Sequence, residues 1–146
     1  MKKLMIKRKK QRGLTLVELM VVIVILGLLA TIIVINLLPA ADQASVQTAR
    51  TNITTLENAL DQYRLDNKTY PTNAQGLEAL VRAPDGLRNP QNYRPGGYIR
   101  KLPDDPWGNP FVYERPGQHG EFDLYSLGAD GKEGGEGLDA DIGNWQ

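Results

Sequence analysis

Two groups of residues in this chain could do chemistry, and they lie near its opposite ends. The first is Gly13-Leu14-Thr15-Leu16-Val17-Glu18, where a small residue closes a basic leader and an acid stands inside apolar sequence. An acidic side chain deep in hydrocarbon costs about 2.5–3.5 kcal/mol on insertion scales, so one retained there points to a use. Cleavage between Gly13 and Leu14 would free an α-amine four residues from Glu18. That amine is cationic near neutral pH. A buried carboxylate needs a partner. The amine of a neighbouring subunit would supply one and set the stagger between packed helices. The plainer alternative is an uncleaved signal anchor, with Gly13 incidental and Glu18 reaching up to the headgroups.

The second group is the stretch from Leu127 to Asp141, which holds five glycines and five carboxylates against one lysine. Glycine lets backbone wrap closely and expose carbonyls, and calcium takes six to eight oxygens from carboxylates and carbonyls. One calcium ion could therefore pin this loop. Asp130 would enter the shell, Asp139 and Asp141 would close it, and carbonyls such as those of Leu127 and Lys132 would complete it. The EF-hand register of alternating acids and a terminal glutamate is missing. A solvated acidic loop is the competing reading. A catalytic carboxylate pair is weaker still, because the sequence suggests neither a pocket nor a base partner.

The elements that must position these groups are legible in the pattern. Residues 1–13 carry seven basic side chains and no acid. Residues 14–38 follow with neither lysine nor arginine. A helix of that length reaches about 37 Å, enough to cross a hydrocarbon layer of roughly 30 Å. The basic leader stays in the cytoplasm, which places the rest of the chain outside. The apolar run is too long for a cleavable secretory signal, and no Ala-x-Ala-like site closes it.

No glycine or proline occurs from Ala41 to Thr69, and Val46, Ala49, Ile53, Leu56, Leu60 and Tyr63 recur in steps of three and four. That is one stripe on a helix. The spacing predicts a single helix from Leu14 to about Asp66, with a membrane half at 14–38 and an amphipathic half at 39–67. Pro39 is expected to kink it. Residues 68–146 then form a small head. A short helix is expected over Gln75 to Ala83 with Asn73 as its cap. Six prolines and four glycines make 84–110 loop and turn. Strands are expected at Phe111–Glu114 and Glu121–Leu127, joined by a hairpin through Pro116-Gly117-Gln118-His119-Gly120. The fold class is α+β, a long N-terminal helix packed on a small antiparallel sheet.

Composition excludes several functions. There is no cysteine, which removes thiolate catalysis, disulfides and cysteine-ligated metals. A single histidine makes a multi-histidine metal centre improbable. Without its leader the chain has ten basic against seventeen acidic side chains, the wrong sign for binding nucleic acid. His119 reads as a turn residue, and Trp107 and Trp145 as packing anchors. Tyr63, Tyr70, Tyr93 and Tyr98 show no stacking periodicity.

The opening segment resembles the type IV pilin-like signal: a basic leader, glycine, a hydrophobic residue, Thr-Leu-x-Glu, then an apolar helix. Further segments are similar to the major pseudopilins of type II secretion systems. They include Tyr70-Pro71-Thr72, Leu102-Pro103-x-Asp105-Pro106-Trp107-Gly108, Pro116-Gly117-Gln118-His119-Gly120 and Ser126-Leu127-Gly128-Ala129-Asp130-Gly131. This resemblance implies a pilin-like fold and a non-enzymatic structural subunit. It implies cleavage by a prepilin peptidase after Gly13, N-methylation of Leu14, and calcium in the C-terminal loop. Subunits would polymerise from the bacterial inner membrane into a periplasmic filament that drives export through an outer-membrane secretin. Implied partners are further copies, minor pseudopilins, an inner-membrane platform protein and a secretion ATPase. Two departures stand out: Leu14 replaces the usual phenylalanine, and Ile35 stands where many members have a helix-breaking proline, so any unwound segment is displaced. The rival readings are a surface type IV pilin, disfavoured by the lack of cysteine, and a signal-anchored extracytoplasmic enzyme with an acidic metal site.

Overall fold

A computed structural model describes residues 13–146, apart from the side chains of 34–38. The basic leader, Gly13 excepted, lies outside the described residues. Helix α1 runs over Leu16–Asn67. Pro39 lies inside it, and the helix continues through both Ile35 and Pro39. The chain divides after Pro39 into two compact units. In the first, Leu16–Ile33 is long and apolar enough to cross a membrane, and none of it is buried within the protein.

The second unit, 40–146, is the head. The helical stripe is its foundation: Ala49, Ile53, Leu56, Ala59, Leu60 and Tyr63 are all buried. They meet Leu80, Phe111, Phe122, Leu124 and Ile142 in one apolar cluster. Strands β1 (Val112–Glu114), β2 (Asp123–Ser126) and β3 (Ile142–Gly143) form an antiparallel sheet in the order β1-β2-β3. In register, Tyr113 faces Leu124 and Ser126 faces Ile142. The two expected strands are present but shorter. β3 is new, and it returns the chain to β2 after the acidic loop.

The short helix is shorter than expected. It is a single 3-10 turn at Leu77–Leu80, and Gly76 before it has φ of 56°. Asn73 does not cap it. Its carboxamide instead accepts from the Arg115 N–H at 2.6 Å and donates to the Arg115 carbonyl at 2.8 Å. An Asn carboxamide, carrying both a donor and an acceptor, can satisfy both backbone groups of one residue.

Candidate functional site

At the start of α1, residues 13–15 are outside the helix and exposed, with Leu14 71% accessible. The Gly13–Leu14 bond therefore lies just ahead of the helix. The Thr15 hydroxyl accepts the Glu18 N–H at 3.2 Å, and the Thr15 carbonyl accepts the Leu19 N–H at 3.1 Å. Thr15 is thus the N-cap, and Thr15-Leu16-Val17-Glu18 has the spacing of a capping box. Glu18 falls in the first turn, where a carboxylate meets the positive end of the helix dipole. This local role adds to any role between subunits.

The acidic loop springs from β2 and returns through β3. Its two arms are tied where the Ala129 N–H donates to the Leu138 carbonyl at 2.9 Å. Gly128 has φ of 70°, and a Cβ there would lie 2.8 Å from the Asp139 carbonyl oxygen. Gly135 presses on the same carbonyl from its other side of the loop, so only glycine serves at either position. Of the expected ligands, Asp130, Lys132 and Asp139 are exposed, and Leu127 and Asp141 are half-buried. Asp130 accepts the Lys132 N–H at 3.0 Å, and Asp141 accepts the Gly134 N–H at 2.9 Å through Oδ2. The other Asp141 oxygen, Oδ1, is buried with no hydrogen-bond partner. A buried acceptor without a donor is costly, and a calcium ion would satisfy it. No three acidic or histidine side chains converge as a metal-holding group among the described residues. Carbonyls would therefore have to supply much of the shell, as the sequence suggests.

A third cluster was hidden in the sequence. His119 Nδ1 lies 2.9 Å from Asp123 Oδ2, and the N–H groups of Gln118 and His119 also donate to that carboxylate. Burial alone would raise the Asp123 carboxyl. The ring bond from His119 and the two backbone donors outweigh it, so Asp123 titrates below the usual carboxylate value. The imidazole stacks on Trp145 at 4.1 Å, and Tyr125 meets the same indole edge-on. His119 is therefore more than a turn residue: it ties the hairpin to the C-terminal segment. Tyr63, Tyr93 and Tyr98 likewise form an edge-to-face trio that no periodicity reveals.

An apolar helix of membrane length leading into a head of one helix and three antiparallel strands defines a pilin-like subunit. The comparisons carry this to a family. Residues 36–145 match the model for "Type II secretion system (T2SS), protein G", and 8–34 match the prokaryotic N-terminal methylation motif. The type II secretion system core protein G of Vibrio cholerae serotype O1 is 59% identical over 95% of this chain and 94% of its own. That of Pseudomonas aeruginosa is 56% identical over 95% and 98%. The crystal structure of the major pseudopilin from enterohaemorrhagic Escherichia coli superposes with a TM-score of 0.65 at 47% identity, covering 75% of this chain and 94% of that one. The chain belongs to the type II secretion system protein G family, the major pseudopilins, and is a structural, non-enzymatic protein. The surface-pilin and anchored-enzyme readings fall with that assignment.

Proposed function

We propose that this chain polymerises, through α1, into a filament that carries proteins out of the periplasm through an outer-membrane secretin. The observation that carries this is the solvent face of α1 within the head. Ala44, Gln47, Thr48, Thr51, Thr55, Asn58, Gln62 and Leu65 lie on it in steps of one to four and are exposed, and none is charged. The hydroxyls of Thr48, Thr51 and Thr55 donate to carbonyls four residues back, at 2.8–2.9 Å. Their hydrogen bonding is satisfied within the helix, so the face presents methyl groups and short amides. Water-facing helices normally carry charge there. An uncharged face with internally satisfied hydroxyls suits packing against another copy.

The same reading assigns the finer roles. Prepilin peptidase cuts after Gly13 and the new Leu14 amine is methylated, supported by the exposed bond. Glu18 pairs with the Leu14 amine of a neighbouring copy during assembly in the inner membrane. Minor pseudopilins, the platform protein and the secretion ATPase are the remaining partners. Calcium sits in the C-terminal loop, held by Asp130, Asp139 and Asp141 with the Leu127 and Lys132 carbonyls. It supplies a rigid crosslink between loop arms rather than any reaction. The orphaned Asp141 oxygen supports this.

The test is Thr51→Glu, which puts a charge on the uncharged face without touching the core. Cells producing it should make a folded, membrane-inserted protein that fails to form filaments by electron microscopy. Normal filaments would reject packing through this face.

A further inference from the structure

Asp105 lies outside the acidic loop, yet its carboxylate leads straight to the loop's first arm. It is 4% exposed, and Oδ1 accepts the N–H groups of Trp107 and Asn109 at 3.0 and 2.8 Å. Oδ2 accepts the Ser126 hydroxyl at 2.6 Å. Ser126 is fully buried at the end of β2, and its oxygen in turn accepts the Gly128 N–H at 3.2 Å. A serine hydroxyl has one proton to give. With that proton committed to Asp105, its lone pairs face Gly128.

The peptide unit makes this consequential. The Leu127–Gly128 bond is trans, the one cis bond of the described residues being Arg115–Pro116. In a planar trans peptide the N–H and the preceding C=O point in opposite directions. Fixing the Gly128 N–H toward buried Ser126 therefore turns the Leu127 carbonyl away from the Ser126 hydroxyl. The positive φ of Gly128 then brings the backbone against Asp139.

We propose that Ser126, oriented by Asp105, is a positioning residue for a divalent cation: it aims the Leu127 carbonyl at the ion. This rests on the calcium reading above and adds to it a residue pair that touches no ion. A buried Asp–Ser pair that merely supports the sheet would affect stability but not affinity, and the two roles separate by measurement.

Calcium affinity is measured by calorimetry on the full chain in detergent, with melting temperature in chelator recorded alongside. Ser126→Ala should weaken calcium binding by about tenfold, the worth of one preorganising hydrogen bond to a buried site. Asp105→Asn, which keeps the shape but puts an amide donor where Oδ2 accepts the Ser126 hydroxyl, should weaken it in the same direction. Tyr113→Phe removes the bond to the Pro71 carbonyl at 2.8 Å, a bond that involves neither Asp105, Ser126 nor the acidic loop. It should lower the melting temperature while leaving affinity within about twofold of wild type, as expected for independent sites. Wild-type affinity in folded Ser126→Ala or Asp105→Asn overturns the positioning role alone. An equal loss of affinity in Tyr113→Phe also overturns it. No calcium binding by the wild type overturns both this role and the calcium reading.

Discussion

The imidazole of His119 lies 2.9 Å from Asp123, whose residue is only 2% exposed, and the same ring stacks on Trp145 at 4.1 Å. An ionised carboxylate can only accept, so His119 Nδ1 carries the proton between them. One side chain thereby joins a buried charge on β2 to the residue before the C-terminal Gln146. The acidic loop lies between these two points in sequence, so the contact closes its base.

Acid should undo this contact in a defined window. The folded Asp123 carboxyl titrates below its ordinary value. Its contribution is fully present above the unfolded carboxylate pKa of about 3.9 and is lost as pH falls through the lower folded value. Asp123→Asn should flatten the fall of melting temperature below about pH 4. His119→Gln should shift that fall to higher pH by removing a donor. Wild-type acid profiles in both variants would contradict the assignment.

Alkali acts through the tyrosines. Burial, first among the causes, pushes Tyr93, Tyr113 and Tyr125 up to about 12. Unfolded tyrosine titrates near about 10, so between these values the folded state binds more protons. Stability contributed by the neutral phenols is therefore lost as pH rises from about 10 toward 12. Absorbance titration at 295 nm should show these phenols ionising late in the native protein and together with unfolding. Early, reversible ionisation of all six tyrosines of the chain would contradict it.

Removing calcium should loosen the loop. A ligand at a hundredfold excess over its Kd stabilises by about 2.7 kcal/mol, roughly 10 °C in a head of this size. Chelator should lower the melting temperature by that order, and Asp141→Asn should abolish most of the difference. Asp130→Asn should remove less, because Asp130 is exposed and already engaged by the Lys132 N–H. Scanning calorimetry in calcium and in chelator checks both.

Glu18 should separate insertion from assembly. Glu18→Ala keeps the apolar segment and the Thr15 cap, so membrane fractionation should find it inserted. Filaments should be lost if pairing with the Leu14 amine sets the helix stagger. Mass spectrometry of the wild type should find a chain beginning at methylated Leu14.

Periodic features were open to reading from the sequence, and long-range ones were not. The stripe from Ala49 to Tyr63 repeats at the helical period, so its burial follows from spacing alone. β3 is two residues long, Ile142–Gly143, too short for alternation to register. Asn73 looks like a cap because caps are local. Its actual partner, Arg115, is 42 residues away. The Thr15 capping box was readable but overlaps the processing motif, so the same letters carry two physical meanings. At the loop, the acids and glycines that suggest a cation site are visible in the sequence, while Ser126 and Asp105 are ordinary residues whose link exists only after folding.

Secretion tests the central claim most directly. Deleting the gene for this chain in its host should leave exported proteins folded in the periplasm, and restoring the wild-type gene should return them to the medium. Undiminished secretion from the deletion strain would contradict the account.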